Sequence, residues 1–89
     1  MGVDNMVLTQ KNKIIGKMFN EQIENRGLGS ILIMDPIGNG YKQRPSYYKD
    51  SQGRAVFSVF MWQLNKLSDE ELSIEIDKRI KAAQQHFAL

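Results

Sequence analysis

The sequence predicts a small α+β domain ordered α-β-β-β-α, with a three-stranded antiparallel sheet and two helices packed on one of its faces. Three observations lead there. Residues 10–26 and 68–87 carry apolar side chains at helical spacing between capping residues. Residues 28–34, 41–48 and 54–64 are rich in β-branched and aromatic side chains and are divided by Gly, Pro, Asn and Asp clusters. The chain has 89 residues, which fits one domain, 1–89, with residues 1–8 as an irregular lead-in.

In the first helix, Thr9 is the expected N-cap and Gly27 the expected residue just past the C-terminus. Ile14, Ile15, Met18, Phe19 and Ile23 share one half of the helical wheel, opposite Lys13, Lys17, Asn20, Glu21 and Glu24. Gly16 interrupts this helix at a cost of about 1 kcal/mol relative to Ala. The first strand, 28–34, is expected to end at Asp35-Pro36, and Gly38-Asn39-Gly40 supplies a turn. The second strand, 41–48, bends at Pro45 and closes at the turn Asp50-Ser51-Gln52-Gly53. The third, 54–64, is the most apolar. Ser58 marks Val56, Phe60 and Trp62 as the less buried set, so Phe57, Val59 and Met61 are expected to face the helices.

The last helix has the clearest signals. Ser68 and Glu71 form a capping box, Leu67 and Leu72 a hydrophobic staple, and Asp69, Glu70 and Glu71 occupy the positive end of the helix dipole. Leu72, Ile76, Ile80, Ala83 and Phe87 make the apolar stripe, while Glu75–Arg79 and Asp77–Lys81 are i,i+4 ion pairs in the favourable order. Ile74 lies off the stripe among Glu70, Asp77, Lys78 and Lys81, where it reads as an ordinary lone exposed isoleucine or, alternatively, as a contact for a partner or a second copy of the chain. Met6, Met18, Met34 and Met61 are expected to fill gaps in the core.

Composition narrows the function. The chain is 42% hydrophobic and 25% charged, as soluble globular proteins are. It lacks cysteine, which excludes disulfides, thiolate metal sites and cysteine nucleophiles. The net charge is +2 and the pI about 9.0, a mild basicity. Residues 1–54 hold eight bases against five acids, and residues 55–89 four bases against five acids. No apolar run approaches the ~18 residues of a membrane span. The first residues lack the basic flank and apolar centre of a signal peptide, so a cytoplasmic location is expected. Enzymatic residues are missing as a set. His86 is the one histidine, Asp69-Glu70-Glu71 are sequential rather than convergent, and Gly38-Asn39-Gly40 lacks the Gly-Lys-Ser/Thr of a phosphate loop. The expectation is a non-enzyme without cofactor or metal.

The segment 41–54 stands apart. It holds Lys42, Arg44, Lys49 and Arg54 against Asp50 alone, together with all three tyrosines, Tyr41, Tyr47 and Tyr48. Bases interleaved with rings suit phosphate contact plus base stacking. They equally suit a protein interface, where Tyr and Arg are anchors, or a solvated edge hairpin whose charges prevent strand pairing.

The α-β-β-β-α order is similar to that of double-stranded-RNA-binding domains, a resemblance that implies an RNA-binding surface. That family grips phosphates with a lysine cluster opening its final helix, where this chain has Ser68-Asp69-Glu70-Glu71. Tyr48-Lys49-Asp50-Ser51-Gln52-Gly53-Arg54 followed by the aromatic strand resembles the arm-binding domain of phage and transposon integrases, which implies DNA reading by the sheet. The chain is also similar in size and plainness to phage or mobile-element accessory proteins, including inhibitors of host defence nucleases. The first expectation is therefore a nucleic-acid-binding module that uses the 41–54 hairpin and the sheet to hold DNA or RNA. The alternative is a protein-binding inhibitor or adaptor that blocks a nucleic-acid-handling complex. Neither involves a membrane. Both place Tyr41, Lys42, Arg44, Tyr47, Tyr48, Lys49 and Arg54 at the contact.

Overall fold

The computed structural model describes residues 2–38 and 46–89, and for residues 2–9 the backbone alone. Helix α1 runs Gly2–Asn25, strand β1 Leu32–Ile37, β2 Tyr47–Lys49 and β3 Ala55–Phe60. A 3₁₀ turn, Met61–Gln63, follows, and helix α2 spans Asp69–Phe87. The result is a small α+β fold of two helices and one three-stranded sheet. Among the described residues no helix is long and apolar enough to cross a membrane.

Two of the three helix ends that the sequence marks follow the chemistry of their capping residues. Gly27 takes φ +71°, its N–H donates to the Glu24 carbonyl at 2.9 Å, and the Leu28 N–H donates to the Ile23 carbonyl at 3.0 Å. This is the two-bond glycine cap, with Leu28 and Ile23 both buried beside it. At α2 the Ser68 hydroxyl accepts from the Glu71 N–H at 3.2 Å, and the Glu71 carboxylate accepts from the Ser68 N–H at 3.0 Å. The other end of α2 closes on Ala88 in the left-handed region at φ 56°. The exception is the start of α1. The helix begins at Gly2, so Thr9 is interior rather than a cap, and the stretch expected to be irregular is helical from residue 2.

The sheet corrects the expected antiparallel meander. Its strand order is β1-β3-β2: β3 is central, antiparallel to β2 but parallel to β1. The β2–β3 hairpin closes at the expected turn, with Gly53 at φ +78° and its N–H donating to the Asp50 carbonyl at 3.0 Å. Strand β1 is shifted C-terminally from 28–34 and continues through Asp35 and Pro36. Register explains how it tolerates a proline. The Ala55 N–H donates to the Ile31 carbonyl at 3.0 Å, so the odd-numbered residues of β1 turn their polar groups toward β3. Pro36 falls on the outward edge, where a missing N–H costs no ladder bond and discourages pairing with another strand. Of the expected second strand, 47 and 48 are in β2, and 41–45 lie outside the described residues. The third strand ends at Phe60, because the chain turns into 3₁₀ geometry at Met61.

Both helices pack on one face. Ile15, Phe19 and Ile23 of α1 and Leu72, Ile76, Ile80 and Ala83 of α2 join Leu32, Met34, Ala55, Phe57, Val59 and Met61 in one buried cluster. Phe57, Val59 and Met61 therefore face inward as expected. Ile14 does not: it is 55% exposed, beyond the arc that α2 and the sheet cover. Ser58 is also buried, at 8%, because β3 is central and flanked on both sides.

Candidate functional site

The central position of β3 decides where the expected site residues go. Tyr47 and Tyr48 are adjacent on β2, and successive strand residues point to opposite faces. Tyr47 pairs with Phe57 and turns to the helix side. Its ring stacks on His86 with centroids 4.2 Å apart and planes 16° apart, and meets Phe87 edge-on at 5.9 Å. Tyr48 pairs with Val56 on the outer face, and its hydroxyl donates to Asp35 Oδ2 at 3.0 Å, reaching across β3 to β1. The two rings thus do not form one stacking platform.

The bases divide in the same way. Lys49 is exposed on the helix side, its ammonium 5.6 Å from the centre of the Phe87 ring, a cation–π contact. Arg54 Nε donates to Asp50 Oδ2 at 2.8 Å. Asp50 Oδ1 accepts the backbone N–H groups of Gln52 and Arg54 at 2.9 and 2.8 Å. The Arg54 backbone N–H, followed by its guanidinium and the Gln52 N–H, holds the Asp50 carboxyl below the usual aspartate range. Arg54 therefore serves the turn. Tyr41, Lys42 and Arg44 lie outside the described residues.

Two features were missed in the sequence. His86 and Phe87, at the end of α2, join Tyr47 and Lys49 in an aromatic cluster beside a groove between β2 and α2. The groove has a volume of about 330 Å³ and a wall of Ser46, Tyr47, Glu75, Lys78, Arg79 and Ala82. Within it Arg79 Nε donates to Glu75 Oε1 at 3.0 Å and Nη2 to Gln63 Oε1 at 3.2 Å, which orients the guanidinium. No local sequence signal joins residues 47 and 86; the sheet order does.

The second is at the carboxyl end of β3. Phe60, opposite Ile37 of β1, packs its ring against Trp62 at 4.8 Å between centroids. Trp62 is 41% exposed. The spacing Phe60-x-Trp62 within the set assigned outward by Ser58 was the signal available for this pair. Among the described residues no group of three His, Asp or Glu side chains converges as a metal site would.

Comparison with known proteins adds no relative: no family model matches the chain, and no curated protein or solved structure matches it.

Proposed function

We propose that this chain is a non-catalytic binding protein whose partner is another protein, an adaptor or inhibitor rather than a nucleic-acid reader. The supporting observation is the Phe60–Trp62 pair. A large indole left open to solvent, backed by a second ring and set on the 3₁₀ turn that directly follows the central strand, is the kind of anchor that dominates protein interfaces. Three of the seven residues expected to hold nucleic acid are meanwhile engaged within the molecule. Tyr47 is stacked, the Tyr48 hydroxyl is bonded to Asp35, and Arg54 is clamped by Asp50.

The nucleic-acid reading retains one observation. Lys49, Lys78, Arg79 and His86 border the β2–α2 groove around Tyr47. The two readings separate cleanly. Anisotropy titrations of the protein into labelled single- and double-stranded DNA and RNA should show no binding that weakens with added salt. Cross-linking in extracts of its source cell, followed by mass spectrometry, should recover one protein with the wild type and lose it with Trp62→Ala. Salt-sensitive oligonucleotide binding that Lys78→Ser and Lys49→Ser reduce, with Trp62→Ala indifferent, would reverse the proposal.

A further inference from the structure

Three independent observations meet at one place, between α1 and the end of β1. The first is a groove of about 380 Å³ lined by Asn12, Lys13, Gly16, Pro36, Gly38 and Met61. Its surface is mainly hydrocarbon, and Met61, the neighbour of Trp62 in the chain, is among its lining residues. The second is Asn12, whose Oδ1 is buried without a hydrogen-bond partner among the described residues. A buried acceptor without a partner is costly, and such groups are rare in folded proteins. The third is Gly16. Glycine weakens a helix interior, yet the fold does not require it here. A Cβ at position 16 would meet only Met34 Cε, at 3.9 Å, an ordinary contact. What a larger side chain at 16 would do is enter the groove. A residue that breaks a local rule without a structural reason is expected at functional sites.

The rim states the charge of the occupant. Lys13 is exposed on the groove wall, and Lys17 follows one turn later on the same exposed stripe. Among the described residues neither has a carboxylate within ion-pair distance.

We infer that this groove is a peptide-docking site that takes one leucine-sized apolar side chain from an acidic segment of the protein partner. The apolar side chain lies over Gly16 and against Met61 and Pro36. The Asn12 amide turns to bring Oδ1 into the groove, where it accepts a backbone N–H of the peptide, and the neighbouring carboxylate meets Lys13. The inference rests on the protein-binding reading and specifies the partner's chemistry. It also accounts for a helix-interior glycine and for an amide oxygen that has no partner among the described residues.

The test is a two-dimensional NMR titration of the full chain with acetyl-Glu-Leu-Glu-amide. Acetyl-Lys-Leu-Lys-amide and acetyl-Glu-Ser-Glu-amide serve as controls. The expected result is shifts confined to the Asn12 side-chain amide and the Gly16 and Gly38 amides, strong for the first peptide and weak or missing for the controls. Gly16→Leu, shown to be folded by its circular dichroism and melt, should abolish them. Lys13→Glu, an exposed change that leaves folding alone, should weaken the acidic peptide several-fold even if Gly16→Leu does not fold. Equal response to the acidic and basic peptides, or shifts that persist in folded Gly16→Leu, would overturn the site. Shifts nowhere would overturn it as well, while the Trp62→Ala cross-linking result would stand or fall separately.

Discussion

The same substitution, Gly to Ala, should have opposite signs at two positions of this chain. Gly16 lies inside α1, and the added methyl meets only Met34 Cε at 3.9 Å. The change therefore gains helix propensity, about 0.8–1 kcal/mol, without a clash. Gly27 also has open space around it, with nothing within 4 Å of the added Cβ, but its φ is +71°. Placing an L-residue in that conformation costs about 1–2 kcal/mol. The narrower unfolded ensemble of alanine returns some 0.4–1 kcal/mol, leaving a net loss of about 1 kcal/mol. The two variants should thus differ by about 2 kcal/mol, or roughly 10 °C in Tm for a domain of this size. Urea unfolding followed by far-UV circular dichroism measures both, with unchanged slopes indicating the same folded and unfolded states. If both variants shift in the same direction, the glycine cap of α1 or the open surroundings of Gly16 are wrong. Stabilisation by Gly16→Ala would also show directly that the fold does not need the glycine on which the groove depends.

Other outcomes follow from the packing and the charges. Val59 is fully buried on the helix side of the central strand, so Val59→Ala should lose about 2–3 kcal/mol from two deleted methyl groups and the cavity they leave. A smaller loss there than from Phe60→Ala in a urea melt would mean that the strand faces are reversed. Ser68→Ala should lose about 1 kcal/mol by removing the α2 cap, read as a fall in Tm, and an unchanged Tm would count against the capping box. The carboxyls of Asp50, Glu71 and Asp77 are all held below their ordinary values: Asp50 by the Arg54 backbone N–H, Glu71 by the Ser68 N–H, and Asp77 by Lys81 and then Arg26. Each favours the folded state above its unfolded pKa, and that contribution is lost as pH falls through the folded value. Stability should therefore drop below about pH 4.5, the upper end of the ordinary carboxylate range, and Asp77→Asn should flatten that drop in melts taken along a pH series.

The local chemistry of the chain was enough to define most of its elements. The Ser68–Glu71 box, the Leu72–Ile80 stripe and the Gly27 cap are interactions among residues within a few positions of one another, and each forms as its sequence dictates. So is the hairpin turn at Asp50–Gly53. The inward set Phe57, Val59 and Met61 also followed from alternation alone. Helix start was less legible: Thr9 is a competent cap, but a helix that can propagate further does so, and here it reaches back to Gly2.

The order of the strands belongs to the tertiary structure. Residues 54–64 and 28–34 both spell extended chain, and nothing local says whether they pair, or in which direction. One clue was present. The apolar run of β3, broken only by Ser58, is what a strand flanked on both edges requires, whereas the polar second strand is unsuited to the middle of a sheet. Placing β3 at the centre buries that run on both sides, leaves Pro36 at an edge that needs no donor, and sets Tyr48 where its hydroxyl reaches Asp35 across β3. The groove at Gly16 has the same origin. Asn12 and Gly16, one turn apart on α1, lie far from Pro36 and Met61 in the chain, and the three segments come together only because α1 packs over β1 while β1 runs parallel to β3. Capping, turns and helical stripes arise from energies between near neighbours, which a sequence displays. Which faces meet is decided by the burial that the whole chain can achieve at once, and that quantity exists only in the folded molecule.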